Sequence, residues 1–436
     1  MDRIFLSFLL IFLISCSKNI DIKDVSIKLS NNLSSTYIIN FKINLKSEAH
    51  IQYWENGKEV FSSPLFYGDS FSIPLSFLKP SSNYNFKIVT PNKSSIPYTF
   101  KTNEVPDFFP KLDLEKKNNF SFHGYLFFRT QTNPGIQFML DDNAKVIWYS
   151  ISDTTLSRPF RSTNIPIFNR DASYLSLSEK NLIQEHSFLG DTLNTIYTGK
   201  DIIHHDIMKI RDKNNFNSDK YVALTYEYLN FNQENIDSLI GDGIVVFDSN
   251  GNKLWSWNIF DHVRPNNENY KIQDDWSHAN AIDVDHDGNY LVSFRSFNQI
   301  WKIDSESGDI IWRLGDNGDF NLNEEDIFYQ QHAINKIDSN KYLLFDNGSS
   351  DVRMTSRALL FTIDEEEKIF KSDWSVYLPD SLFTFKQGSV YLIDNENYLF
   401  TSSVNNRIII TDNSGKILWN LLSDHSYYRV YYLPKN

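Results

Sequence analysis

Residues Asp275–Trp312 read DWSHANAIDVDHDGNYLVSFRSFNQIWKIDSESGDIIW, and this stretch decides the fold. Ile282-Asp283-Val284 alternates apolar with polar, Asp287-Gly288 marks a tight turn, and Tyr290 to Phe294 continues as a second strand. A third apolar run covers Gln299 to Ile303, followed by an acidic turn closing on Gly308 and then Ile310-Ile311-Trp312. Four short strands joined by turns make one blade of a β-propeller. Two residues do not serve that pattern: His278 just ahead of the first strand, and Arg295 at the end of the second.

The unit recurs on both sides of this stretch, from Phe108 onward. Its turn and closing tryptophan return as DDNAKVIW (Asp141 to Trp148), DSNGNKLW (Asp248 to Trp255) and DNSGKILW (Asp412 to Trp419). Weaker copies are GDTLNTIY (Gly190 to Tyr197) and DEEEKIF (Asp364 to Phe370). The strand before each turn repeats as well, at Tyr174-Leu175, Tyr221-Val222, Tyr290-Leu291, Tyr342-Leu343 and Tyr398-Leu399. Six units spaced by roughly 45 to 60 residues predict a six-bladed propeller over 105–436, with the tryptophans packing blade against blade.

Ahead of it, Asp21 to Thr102 carries seven or so alternating runs and no cluster of catalytic side chains. A small β-sandwich over 16–104 is expected, serving as spacer or docking module. Its LKPSSNYNFKI with a closing YTFKT resembles fibronectin type III and related immunoglobulin-like modules. The first residues, MDRIFLSFLLIFLIS, have the length and pattern of a signal peptide over 1–15 and are too short to span a bilayer. Leu13-Ile14-Ser15-Cys16 resembles the lipobox of bacterial lipoproteins, which implies lipidation of Cys16 and an exported protein tethered to the membrane, periplasmic or at the cell surface. As the sole cysteine, Cys16 can form no internal disulfide, and its lipidation would leave no thiol for catalysis. With 42 Lys and Arg against 55 Asp and Glu, the net charge of −13 gives no footprint for nucleic acid, so a bound anion needs a local cluster of cations.

Aligning the blades on their Tyr-Leu cores puts histidines ahead of three successive first strands: His204-His205-Asp206, His278-Ala279-Asn280 and Gln331-His332-Ala333. In a propeller such equivalent positions lie at one height near the axis, so side chains from three blades can meet in a funnel. Arg295 closes the second strand of the His278 blade, and Asp346-Asn347-Gly348, Arg353 and Arg357 follow His332. Neutral imidazoles beside a guanidinium suit a tetrahedral oxyanion: the arginine holds two oxygens, one histidine attacks the central atom, and another moves the proton. Three histidines are also how a catalytic zinc is held, against which stands the neighbouring arginine. A third reading makes them packed histidines at strand ends, on a propeller that binds a glycan or protein partner without catalysis.

The run DWSHANAIDVDHDGNYLVSFRSFNQIWKID, with HHD upstream and QHA…LLFDNG downstream, resembles the bacterial arylsulfotransferase family, the PAPS-independent aryl-sulfate sulfotransferases. The resemblance covers nearly the whole propeller. It implies a metal-free and cofactor-free ping-pong reaction in which a phenolic sulfate donor gives its sulfuryl group to a histidine and a phenolic acceptor takes it. By motif, His332 would be the nucleophile, His278 would assist proton transfer, and Arg295 would hold the sulfuryl oxygens. His204 and His205 compete for the upstream catalytic position: blade register favours His204, the His-Asp pairing His205. Asn280, Asn347 and Arg353 stand as substrate-binding candidates. Trp276, Phe294, Phe297 and Tyr329 adjoin the motif and could face an aryl group or pack.

Overall fold

The computed structural model describes residues 19–30, 34–132, 134–151, 173–179, 181–211, 219–233, 236–266, 270–394 and 396–435. The leader over 1–15 and Cys16 lie outside them. The chain forms two units, the first made of 19–30, Tyr37–Leu75 and Ser81–Asn103, the second of 34–36, Ser76–Pro80 and the described part of 104–435. No helix among the described residues is long and apolar enough to cross a membrane.

The first unit is a curled seven-stranded sheet built on one long strand, Tyr37–Glu55. Its first half pairs with Ile22–Leu29 and Phe66–Leu75, and its second half with Asn83–Thr90, so one strand serves two layers. Tyr37, Ile39, Phe41 and Ile43 alternate inward along it, which fixes the face that is buried. The sandwich-like arrangement expected from the alternating runs is therefore present as a single sheet folded over itself.

The second unit is the six-bladed propeller. Blade four is Ala279–Val284, Tyr290–Phe294, Gln299–Ile303 and Ile310–Gly315, an antiparallel meander with the strands read from the sequence. Blades three and five run from Ile203 to Asn258 and from His332 to Tyr377 in the same order. The ring closes twice. Leu112–Lys116 adds an outer strand to blade six, pairing with Ile417–Ser423, and Tyr431–Pro434 supplies the inner strand of blade one beside Gly124–Arg129. Neither closure is visible in the repeat pattern, because each joins residues from opposite ends of the propeller sequence.

The repeated Asp and Trp have separable jobs. In each turn the Asp side chain accepts backbone N–H bonds two to four residues on: Asp141 from Asn143 and Lys145, Asp248 from Asn250 and Asn252, Asp412 from Ser414 and Lys416. This Asx geometry closes the turn without help from the next blade. The indoles do the stitching. Trp148 Nε1 donates to Phe188 O in blade two, Trp255 to Glu306 O in blade four, Trp374 to Asn413 O in blade six, and Trp419 to Asp142 O in blade one. Trp148 and Trp419 are fully buried, and burying such an indole removes roughly 200 Å² of surface, about 5 kcal/mol at ~25 cal/mol/Å², against about 1 kcal/mol for its hydrogen bond. Packing therefore supplies the stability and the N–H bond sets the angle of one blade to the next. Lys302 of the KID motif is a second tie, wholly buried and held by Asp285 and Asp287 of its own blade and Glu365 of the next.

Candidate active site

The inner strands of blades three, four and five do not run straight into the axis. Each carries a β-bulge at its start, between His204 and Ile207, between Ala279 and Ala281, and between His332 and Asn335. Left-handed backbone accompanies them: φ is +51° at His205, +49° at His278, +50° at Gln330, +49° at Ala333 and +58° at Gln387. None of these is glycine. Such conformations cost free energy and persist only where surrounding structure enforces them, which is common at functional sites.

His332 is almost fully buried, and its protonation pattern is fixed by its neighbours. Nδ1 faces two oxygens, Asn347 Oδ1 at 2.7 Å and Gln330 O at 3.0 Å. The Asn347 amide cannot be turned round, because its Nδ2 donates to Thr384 O and Gln387 O, both at 2.8 Å. Nδ1 therefore carries the proton, and Nε2 keeps its lone pair, accepting a bond from the Gln387 backbone N–H at 3.2 Å. Burial first, and then the Arg295 cation, hold the His332 pKa well below the ordinary imidazole value, so the ring is neutral.

The other histidines repeat this scheme. His278 donates Nδ1–H to Asp275 Oδ2 at 2.5 Å. His204 and His205 meet Nδ1 to Nδ1 at 2.7 Å, so one of them must donate. His204 Nε2 lies 3.2 Å from Asp242 Oδ1, out of line for a hydrogen bond but close enough that a lone pair there would be repelled. The His204 proton therefore sits on Nε2, and His205 donates its Nδ1–H. Asp242 also accepts from Ser277 Oγ and from Ala279 N at 2.7 Å, so one carboxylate organises His204 and the loop that carries His278. In His205 and His332 alike, Nδ1 is anchored to the protein and Nε2 is left without a proton, and in His278 Nδ1 is anchored to Asp275. His205 is held neutral by burial first and then by its histidine neighbours and Arg429.

The rings of His205 and His278 are 5.2 Å apart, and Tyr428 stands 6.0 Å from both His205 and His332. A cavity of about 200 Å³ opens beside them, lined by Gln131, Leu177, His204, His205, Tyr226, Gln387 and Tyr428. Both upstream histidines thus reach it, His205 facing His278 and His204 behind, stacked on Tyr226 at 3.9 Å. Arg295 donates to Gln330 Oε1 at 2.8 Å and to Phe385 O at 3.3 Å. Burial lowers its pKa somewhat, opposed by Tyr428 and Asp275. The turn from Phe385 to Gln387 therefore touches both Arg295 and the free edge of His332.

The remaining Asn and Arg candidates are bonded to protein groups, save for the Asn280 Oδ1, which is buried without a partner among the described residues. Asn347 spends its whole amide on His332 and two carbonyls, which makes it a positioning residue behind the ring. Asn280 has no exposed surface; its Nδ2 donates to Gln331 O at 2.7 Å. Arg353 is paired with Asp346, as is Arg357, and lies over the Tyr329 ring. Trp276, Phe294 and Phe297 pack with Trp301 in the core between blades three and four. No group of three or more His, Cys, Asp or Glu side chains among the described residues is arranged to hold a metal ion.

Residues 111–408, more than half of the chain, match the family model described as Arylsulfotransferase (ASST). The chain belongs to the arylsulfotransferase family. Membership supports aryl sulfotransferase activity in general, and with it a donor and an acceptor substrate. No curated protein matches the sequence. Similar solved structures include a protein of unknown function from Bacteroides caccae, 11% identical with a TM-score of 0.46, covering 72% of this chain and 100% of that one. Another is virginiamycin B lyase from Staphylococcus aureus, 12% identical with a TM-score of 0.34, covering 72% and 99%.

For an arylsulfotransferase, the floor of the site holds residues the motif reading missed. Arg429 pairs with Asp206 at 2.8 Å and donates to Asn280 O, tying the bulges of blades three and four together. Tyr428 lies on its guanidinium, 5.4 Å from ring centre to cation. The signal was there in YYRVYY, a charged residue inside an aromatic strand pattern. Gln131 and Gln387 carried no such signal.

Proposed function

We propose that the chain moves a sulfuryl group from a phenolic sulfate to a second phenol by a ping-pong route through His332, without a nucleotide sulfate donor. The observation that carries this reading is the state of His332, a neutral ring with its proton fixed on Nδ1 and its lone pair on Nε2. Nε2 attacks the donor sulfur; the N–S bond forms as the bond from sulfur to the aryl oxygen breaks, and that electron pair leaves on the phenolate. His278, held against Asp275, gives the phenolate oxygen a proton. In the second half, His278 takes the acceptor's phenolic proton, the acceptor oxygen attacks sulfur, and the N–S pair returns to Nε2.

Charge in such a transfer spreads over three sulfuryl oxygens, which preorganised donors stabilise. Arg295 is the cation for that task. Its bond to Phe385 O and the Gln387 N–H bond to His332 Nε2 both have to yield first, and either donor can then turn to a sulfuryl oxygen. The cavity suits one aromatic ring, since a cavity of about 150 Å³ accommodates benzene. Leu177, Tyr226 and Tyr428 give it apolar walls.

The test is mass spectrometry of protein incubated with p-nitrophenyl sulfate alone, kept alkaline to protect the adduct. One added sulfuryl group on His332 is expected, lost in His332→Ala, with sustained nitrophenol release only when a phenol is present. Full transfer by His332→Ala refutes the assignment. The same reading includes export and anchoring through lipidated Cys16. Labelled palmitate should enter the wild-type chain and not Cys16→Ser; equal labelling removes the anchor.

A further inference from the structure

Tyr428 lines the cavity, and the reaction above leaves its hydroxyl without a task. The Tyr428 hydroxyl oxygen is buried and has no hydrogen-bond partner among the described residues. A buried hydroxyl without a partner costs about 1–3 kcal/mol, so a chain that keeps one is normally using it. Everything else about Tyr428 is held firmly. Its carbonyl accepts from Gly388 N at 2.9 Å, its ring lies on the Arg429 guanidinium, and its edges face His205 and His332 at equal distance. Gly388 directly follows Gln387, whose N–H occupies the reactive edge of His332, so the tyrosine and the nucleophile are braced by one turn.

Resting on the sulfuryl-transfer reading, we propose that Tyr428 is a further catalytic residue, whose O–H donates a hydrogen bond to an oxygen of the sulfuryl group while that group is on the donor and on His332. The alternative task, protonating the leaving phenolate, fits the chemistry poorly. Burial raises the Tyr428 pKa above that of an ordinary phenol, so giving its proton to a phenolate is uphill. A hydrogen bond needs no such transfer. Held neutral, the phenol also adds no second negative charge against the sulfuryl oxygens, and Arg429 under its ring polarises the O–H toward donation.

Tyr428→Phe removes the hydroxyl and keeps the ring. Because that hydroxyl has no hydrogen-bond partner among the described residues, the variant is expected to fold with an unchanged or slightly higher Tm. The rate of His332 sulfation by aryl sulfates should fall on the order of 100-fold, the usual effect of deleting one oxyanion donor. The loss should be the same for donors whose leaving phenols differ in acidity. Inorganic sulfate, titrated calorimetrically, should bind at least about tenfold more weakly, since a hydrogen bond to a charged group is lost. Wild-type rate and wild-type sulfate affinity in Tyr428→Phe overturn the proposal, as does a rate loss that grows with the basicity of the leaving phenol. Wild-type protein that binds sulfate through Tyr428 yet transfers nothing would keep this contact and discard the transfer reading.

Discussion

Asn347→Ala isolates what holds the nucleophile. The side chain accepts the His332 Nδ1 proton at 2.7 Å, and the ring retains a second acceptor, Gln330 O at 3.0 Å. Tautomer control is therefore weakened rather than abolished. Attack by Nε2 places positive charge on the imidazole, so the Asn347 bond strengthens as the reaction proceeds. A neutral hydrogen bond is worth about 0.5–1.5 kcal/mol and one to a charged group about 1.5–3, a difference of roughly 1–2 kcal/mol. At 1.36 kcal/mol per decade, the chemical step should slow by roughly 5- to 30-fold. The assay is the stopped-flow burst of nitrophenol from donor without acceptor, which reads the first half-reaction alone. Asn347→Ala also orphans Thr384 O and Gln387 O, so a control is needed. Asn347→Asp is that control: in either protonation state it keeps an oxygen toward Nδ1 and loses at least one donor. Its burst should stay within a few-fold of wild type although its Tm falls. A wild-type burst rate in Asn347→Ala, or equal losses in the two variants, refutes the argument.

Two further outcomes follow from the same geometry. Gln131 and Gln387 exchange side-chain amide bonds at 3.2 and 3.5 Å, so Gln131→Ala should loosen the turn that covers His332 Nε2. Carbethoxylation of His332, followed by peptide mapping, should quicken by about 2- to 10-fold, the worth of one such bond; unchanged reactivity would show that the amide pair does not restrain the turn. Stability should also fall in mild acid. Burial keeps His205 and His332 well below the ordinary imidazole value and His186 at about 4, whereas an unfolded histidine titrates near ~6.5. Below that pH the unfolded chain binds protons the folded one refuses, so stability present above it is lost as pH falls toward the folded values. Asp283, pushed up to about 6 by burial, and Glu227, also raised by burial, oppose this, but they are two groups against three. Tm measured from pH 7 to 5 should drop, and a rise would refute the balance.

Much of the fold was legible because its determinants are local. An Asp that closes its own turn and a tryptophan seven or eight residues later recur in four of the six blade units, and both are visible without knowing what they touch. What they touch was not visible. That Trp419 ties to Asp142, or that Tyr431–Pro434 pairs with Gly124–Arg129, depends on the ring closing. A repeat pattern counts blades and says nothing about which end of the chain seals them. The first unit was legible to the level of alternation, while the sharing of Tyr37–Glu55 between two layers required coordinates.

At the site, the limit has one physical source. Register arguments assume that equivalent residues in successive blades face the axis, and the bulges break that assumption by different amounts. In blade three His204 pairs with Leu224 and Ile207 with Ala223, so His205 and Asp206 lie outside the ladder; in blade four Asn280 alone does. Counting residues could not choose between His204 and His205 because both line the cavity, His205 facing His278 and His204 stacked on Tyr226. Asn347 shows a related limit: a motif marks a residue as needed near the chemistry without saying which side of the nucleophile it occupies. Tyr428 and Arg429 belong to no inner-strand histidine motif, since they come from the segment that closes the ring. The closure that seals the propeller also delivers a phenol and a guanidinium to the axis beneath three histidines. Folding and assembly of the site are then one event, and a chain truncated before Tyr428 should lose both together.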